Sequence, residues 1–341
     1  MRVTTIHGTR DIRLEDRPAP SITAPTDAVV RVAASCICGS DLWPYRGENE
    51  ITPGATIGHE MVGVVEEVGA EVASFRPGDF VVVPFCHSDG TCPACVHGMT
   101  SACSHGAMTT GGQGEYALVT QAEGTLMLGA PRGELPDESL LSSLLTLSDV
   151  FPTGWHCAVA AGVRPGHTVV VVGDGAVGLC AVLAASEMGA ERVVAMSRHP
   201  QRQEIARQFG ASHVVTERGE EGAAQVLELT DGVGADAVLE CVGTDSSMKQ
   251  AFLSARAGST VGFVGVPHGV ELPVRRMFGR NIGLAGGVAP VRAYLPELLR
   301  LVTEGSVDPG LVFDVRMPLT DVAEGYRAMD ERRAVKVLLE V

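Results

Sequence analysis

The chain has 341 residues, of which 45% are hydrophobic and 20% charged, and a formal net charge of −15. That is the make-up of a globular protein with length for two domains. Its acidity argues against the clustered cationic surface that nucleic acid or anionic membranes require. No apolar run is long enough for a transmembrane helix, and the opening MRVTTIHG lacks a signal-peptide core, so a cytoplasmic protein is expected. Nine cysteines, an odd number, then favour metal binding or catalysis over disulfides.

In chain order, the first clear strand is 26–34, where β-branched residues follow a Pro-Thr-Asp turn and lead to Cys36 and Cys38. Gly39, Ser40 and Asp41 follow, then a short loop, then Gly58-His59-Glu60 and a strand over 62–68. Cys38, His59 and Glu60 offer the three ligand types that Zn²⁺ takes. The bland alternative is a buried cysteine and a capping histidine in a β-domain. A further strand is expected over 80–85.

Cys92 and Cys95 form a C-x2-C knuckle, and seven residues separate Cys95 from Cys103. A structural Zn²⁺ takes four ligands. Asp89 holds the position where a fourth cysteine would continue the pattern; Cys86, His87 and His97 are rivals for it. A turn at 111–114 leads into a strand, and 138–147 has a helical pattern. The domain crossing is placed at 149–156.

From 168 to 285 strands and helices alternate with a period of about 25 residues, the βαβ pattern of a parallel sheet. Strands are expected at 168–172, 192–196, 212–216, 236–241, 260–264 and 282–284. Helices are expected at 176–188, 201–209, 221–229 and 246–255. The tail carries helices at 294–304 and 322–329. A strand at 334–340 is expected to rejoin the first domain. The domains are thus 1–150 with 286–341, and 151–285.

Gly173-Asp174-Gly175-Ala176-Val177-Gly178 follows a valine-rich strand and opens a helix. In that context G-x-G-x-x-G reads as a dinucleotide-binding turn, with the pyrophosphate on the helix N-terminus. NAD usually needs an acid at the end of the second strand. This chain has Met196-Ser197-Arg198-His199-Pro200-Gln201-Arg202 there. Ser197 can donate to a 2′-phosphate, and Arg198 and Arg202 can pair with it, so NADP(H) is expected.

These motifs together carry a resemblance. Cys38-Gly39-Ser40-Asp41, Gly58-His59-Glu60, the 63–69 segment, the cysteine lobe, Gly173 to Gly178 and 236–243 resemble the zinc-dependent medium-chain alcohol dehydrogenases over nearly the whole chain. The resemblance implies an α/β architecture: a GroES-like β-barrel catalytic domain completed by the C-terminal segment, and an inserted Rossmann domain, with the active site in the cleft. It implies Cys38, His59 and Asp149 as catalytic zinc ligands, Asp149 standing four residues before a Thr153-Gly154-Trp155 turn. It further implies Glu60 as an exchanging carboxylate ligand, Asp41 as the group that orients His59, and Ser40 as acceptor of the substrate proton. Val242, Gly243, Val264, Gly265 and Val266 would line the nicotinamide end. Trp43, Phe85 and Leu284 are candidate pocket walls. Many relatives end their proton relay in a histidine where this chain has Trp43.

The expected activity is therefore hydride transfer between NADP(H) and an alcohol or carbonyl compound polarised by zinc, with a second, structural zinc on Asp89, Cys92, Cys95 and Cys103. The rivals are a zinc-free quinone or enoyl reductase of the same superfamily, and a non-catalytic NADPH-binding protein. Relatives of this length are often tetramers and sometimes dimers, so the resemblance implies a homo-oligomer, with no sequence feature choosing between the two.

Overall fold

A computed structural model describes residues 1–341. The chain divides into two units, Met1–Pro152 with Pro290–Val341, and Thr153–Ala289. No helix is long and apolar enough to cross a membrane.

The first unit is built on the Ala28–Cys36 strand. It pairs antiparallel with Met61–Val68 along its length, with Tyr116–Val119 over its first half, and with Val337–Glu340 over its last residues. Seven of its nine residues are buried, so both faces of the strand are largely covered, which explains a continuous apolar run instead of an alternating one. The sheet runs Met127–Leu128, Phe80–Val83, Met61–Val68, Ala28–Cys36, Val337–Glu340, Val315–Pro318. Its core holds Val30, Val32, Met61, Val65, Val81, Val83 and Leu126. Each fully buried aliphatic side chain of this kind contributes roughly 1.5–3 kcal/mol. A second sheet joins Asp11–Asp16, Arg2–Gly8 and Ala55–Thr56. Ile6, Ile37, Leu42, Tyr45, Tyr326, Val337 and Leu339 form a further core cluster.

The second unit is a six-stranded, wholly parallel sheet. Its order is His213–Val215, Arg192–Met196, Thr168–Val172, Ala235–Glu240, Ala255–Phe263, Gly283–Gly286. The helices Ala176–Glu187, Pro200–Gln208, Gly219–Leu229 and Asp245–Ser254 connect them. This is the expected Rossmann sheet. Strand order reverses at Thr168–Val172, and at such a switch point the carboxyl ends of the strands open a ligand crevice.

Three local expectations are corrected. Thr153-Gly154-Trp155 is not a turn: it lies inside one helix, Val150–Ala161. Pro152 falls in its first turn, where no N–H is needed. Gly154 is there for close packing, because a Cβ would stand 2.6 Å from the Ala181 nitrogen. The segment after Asp41 is a short helix, Leu42–Arg46, closed by Gly47 at φ 78°. The expected strand 334–340 is only Val337–Glu340, and its parallel neighbour Val315–Pro318 was not read from the sequence at all. That neighbour alternates half-buried and exposed residues over four positions, too few for a period to register.

Candidate active site

Cys38 leaves the end of the Ala28–Cys36 strand and caps a 3₁₀ turn, Gly39–Asp41. His59 and Glu60 immediately precede Met61–Val68, the strand paired with it. Asp149 sits just ahead of the Val150–Ala161 helix. One donor atom each from Cys38, His59, Glu60 and Asp149 lies within 4.8 Å of all the others. Cys38 Sγ is 3.6 Å from Asp149 Oδ2, and His59 Nε2 is 3.4 Å from the same oxygen. Cys38, Glu60 and Asp149 are all buried.

The other ring nitrogen of His59, Nδ1, faces Asp41 Oδ1 at 3.3 Å. That leaves Nε2 for the cluster and fixes ring orientation, the arrangement that a carboxylate gives to a metal-binding histidine. Asp41 is itself held: its Oδ2 accepts from the Cys38 N–H at 3.0 Å and from Gln113 Nε2 at 3.3 Å. Gln113 is fully buried, also donates to Cys36 O, and accepts from the Tyr326 hydroxyl at 3.1 Å. Sequence reasoning found Asp41 but missed Gln113 and Tyr326, because a lone Gln in a glycine-rich turn carries no spacing signal. It also missed Lys336. That side chain is 1% exposed and donates to Glu60 Oε1 at 2.6 Å and to Ile37 O at 3.3 Å. The other oxygen of Glu60, Oε2, is buried with no partner.

The electrostatics are those of a buried cluster rich in anionic donors. Burial, then Glu60, pushes the Cys38 thiol above its ordinary range. Burial alone would lower His59, but the charges of Asp41 and Cys38 outweigh it and hold the imidazolium well above its usual range. A thiolate, an imidazole and two carboxylates in so small a space fit a divalent cation, and the orphaned Glu60 Oε2 adds an unused oxygen. Phe85 packs edge-on to His59 with ring centroids 6.3 Å apart. Ser40 is half-buried in the 3₁₀ turn, and Trp43 half-buried in the helix that follows.

In the cysteine lobe, Asp89, Cys92, Cys95 and Cys103 likewise bring one donor atom each within 4.8 Å of one another. Cys92 caps the short Pro93–Val96 helix, and its sulfur lies 3.8 Å from that of Cys103. Backbone N–H groups of Cys95 and Ser104 lower the Cys92 thiol to about 6, while burial and the neighbouring thiol push Cys95 up to about 12. Asp89 Oδ1 accepts from the Thr91 and Cys92 N–H groups, and its Oδ2 pairs with His105 at 2.6 Å. His105 was not singled out from the sequence.

The three rivals of Asp89 lie elsewhere. Cys86 Sγ contacts Met108 Sδ, and His97 is exposed at the end of the short helix. His87 is buried: Nδ1 accepts from the Thr120 N–H at 3.2 Å, so Nε2 carries the proton and donates to Thr109 Oγ1 at 2.9 Å. Burial lowers this imidazole from 6.5 to about 4. Above pH 6.5 both folded and unfolded forms are neutral there. Between 6.5 and 4 only the unfolded chain takes the proton, so stability is lost as pH falls, by about 3 kcal/mol in total. Urea denaturation of His87→Gln should lack this component of the acid slope. An unchanged slope would place the titration elsewhere.

In the second unit Gly175 caps the Ala176–Glu187 helix, whose first turn holds Ala176, Val177 and Gly178. Gly173 has φ 120°, and a Cβ on Gly178 would stand 2.1 Å from Gly173 O. Positions 173 and 178 are therefore closed to side chains, and the helix N-terminus lies at the mouth of the turn, which fits a pyrophosphate. Val242 and Gly243 follow Ala235–Glu240, and their N–H groups donate to Glu240 Oε1 at 3.0 and 2.9 Å. Gly243 packs directly on Gly265 and Val266, and the Val264 N–H donates to Glu240 O. These loops stand at the carboxyl ends of neighbouring strands. Ser197 is buried and Arg198 exposed. The Ser197 hydroxyl donates to Asp174 Oδ2 at 2.8 Å, and Arg202 Nη1 pairs with Asp174 Oδ1 at 3.2 Å. The sequence reading took Asp174 only as the variable residue of the glycine motif.

The fold is that of a two-unit α/β protein with two clusters of potential metal donors in the first unit and a glycine turn that fits a dinucleotide in the second. Known proteins agree. Residues 24–129 match the alcohol dehydrogenase GroES-like domain, and residues 176–304 match the zinc-binding dehydrogenase domain. A zinc-type alcohol dehydrogenase B of Aspergillus flavus is 35% identical, over 100% of this chain and 81% of the relative. A probable zinc-binding alcohol dehydrogenase of Mycobacterium tuberculosis is 36% identical, over 96% and 84%. The solved alcohol dehydrogenase TADH from Thermus sp. ATN1 superposes with a TM-score of 0.92 at 32% identity, over 100% of both chains. The chain belongs to the zinc-dependent medium-chain alcohol dehydrogenase family of oxidoreductases, whose members imply zinc and a nicotinamide cofactor.

Proposed function

We propose that this chain is a zinc- and NADP(H)-dependent dehydrogenase that interconverts an alcohol and its aldehyde or ketone. The observation that carries the reading is the convergence of Cys38, His59, Glu60 and Asp149 with Asp41 behind His59. When bound, Zn²⁺ supplies Lewis acidity toward a substrate oxygen, and the nicotinamide supplies hydride exchange. Cys38, His59 and Asp149 are the residues that would hold the metal. Asp41 keeps the His59 ring in the tautomer that leaves Nε2 available. Glu60, tied at one oxygen by Lys336, is the carboxylate that can exchange. Ser40 takes the substrate proton at its hydroxyl. Phe85 and Trp43 shape the site toward small or apolar substrates and exclude water.

Asp89, Cys92, Cys95 and Cys103 would hold a structural zinc. The NADP(H) reading rests on Ser197, Arg198 and Arg202 and on the absence of an acid at the end of Arg192–Met196. A homo-oligomer, a dimer or tetramer, is supported by an exposed apolar face: Val274 and Phe278 lie one helical turn apart at 65% and 87% exposure. Beyond the Gly283–Gly286 strand the sheet has no further partner. Nine free cysteines suit the reducing cytoplasm.

The test is metal content of protein purified without chelator, together with turnover of a panel of alcohols and carbonyls. We expect about two zinc per chain, falling to about one in Cys103→Ala, with activity on NADP(H) and sedimentation above the monomer mass. Folded protein that was never stripped yet holds no zinc would sink the mechanism and favour the zinc-free reductase. A single zinc that survives Cys103→Ala would remove the structural site alone.

A further inference from the structure

The pocket assigned above to a 2′-phosphate already contains an anion. Asp174 belongs to the phosphate-binding turn, yet its side chain points to the end of the neighbouring strand, where Thr168–Val172 and Arg192–Met196 run in register. Both of its oxygens are engaged there: Oδ2 accepts from Ser197 Oγ at 2.8 Å, and Oδ1 pairs with Arg202 Nη1 at 3.2 Å. Arg202 also reaches the Asp174 carbonyl at 3.4 Å. Ser197 is 3% exposed, and the Arg202 and Asp174 side chains 14% and 13%, so this contact is built into the fold and is not a passing surface pair. Gln203 Nε2 donates to Ser197 O and holds the strand end from the other side.

We propose that Asp174 is a specificity-determining residue of the cofactor site, an acid supplied by the glycine turn in place of the one missing from the second strand. The proposal rests on the NADP(H) reading of Ser197 and Arg202 and qualifies it. A 2′-phosphate needs the same hydroxyl and the same guanidinium that the Asp174 carboxylate already holds, and it brings like charge toward that carboxylate. A ribose 2′-hydroxyl is neutral and can donate to the carboxylate. Asp174 therefore weakens NADP(H) and favours NAD(H), and the exposed Arg198 is left as the cation that pulls the phosphate in. The chain should discriminate between the two cofactors less than its serine and arginines alone would dictate.

The experiment is fluorescence titration of NADPH and of NADH into wild type and Asp174→Asn, a readout of binding that needs no turnover. Asn keeps the shape and an acceptor for Ser197 while removing the charge. We expect the ratio of NADH to NADPH dissociation constants to rise about tenfold, mostly through tighter NADPH. A rise of less than about threefold, or a fall, overturns the proposal, since Asp174 would then be structural or would assist the phosphate. Should Asp174→Asn fold poorly by thermal melt, Asp174→Ser carries the same two outcomes. The NADP(H) reading is tested separately by the wild-type ratio itself: tighter NADH than NADPH in wild type removes that reading, while the change on mutation still decides the role of Asp174.

Discussion

Cys38→Ser will lose one zinc per chain and at least about 10³-fold of turnover, while NADPH binding stays within about twofold of wild type. The substitution changes one atom. It replaces a thiolate, a strong Zn²⁺ ligand, by a hydroxyl that stays protonated near neutral pH. Packing is preserved, because Cys38 is buried at 7% exposure and serine is no larger. The remaining donors, His59 and two carboxylates, form a harder and weaker set. A thousandfold is about 4 kcal/mol of transition-state stabilisation, within what a Lewis-acid metal supplies. Cofactor affinity is read from the second unit, where Gly173 to Gly178 form a turn that Cys38 does not build. Elemental analysis, steady-state rates and NADPH fluorescence on one preparation check all three parts. Full activity, or two zinc retained, would remove Cys38 from the metal site.

The second large effect is on stability. Lys336→Met should destabilise the protein by about 3–5 kcal/mol, because it strands a charge. Lys336 is the cation that meets Glu60 Oε1, and Oε2 has no partner at all. Burial lowers the lysine, but the negative field of Cys36 and Glu60 holds it well above its ordinary range. Removing the ammonium leaves Glu60, at 0% exposure, to stay ionised without its cation or to take up a proton. Either route costs free energy. Replacing both groups, as Glu60→Gln with Lys336→Met, should recover most of the loss. Neither position then carries a charge. Urea denaturation of the single and double variants at equal metal content makes the comparison. A single-variant cost below about 1 kcal/mol, or no recovery in the double variant, would show that the pair is not a coupled buried unit.

Much of this was legible in one dimension because the physics is local. The alternation of valine-rich strands with helices marks a parallel sheet, and all six of its strands form. Gly173, Gly175 and Gly178 announce a turn by their spacing, and two of them are required by it: Gly173 has a positive φ and Gly178 comes too close to Gly173 O for a side chain. Cys92, Cys95 and Cys103 stand out because thiols at short spacing in a chain of free cysteines have few other uses. Short elements were poorly legible. The helices Leu42–Arg46 and Val274–Arg280 and the strand Val315–Pro318 span too few residues for a period, and tertiary contacts select them.

The sequence by itself determined the parallel sheet, the glycine turn, the adjacent His59-Glu60 pair and the closely spaced cysteines of the lobe, since each follows from neighbours along the chain; the class of protein and the place of Asp149 were read only through the family resemblance. Only the tertiary structure decided which distant groups share a charge. Lys336 reaches Glu60 across 276 residues, because the last strand inserts beside Ala28–Cys36. Tyr326 reaches Gln113 across 213 residues, and Gln113 reaches Asp41 across 72, which fixes the ring of His59. Asp174 meets Ser197 and Arg202 because parallel pairing sets two strand ends side by side. Hydrogen bonds and ion pairs act over a few ångströms, and chain closure, which no local spacing reports, decides which side chains come within that reach.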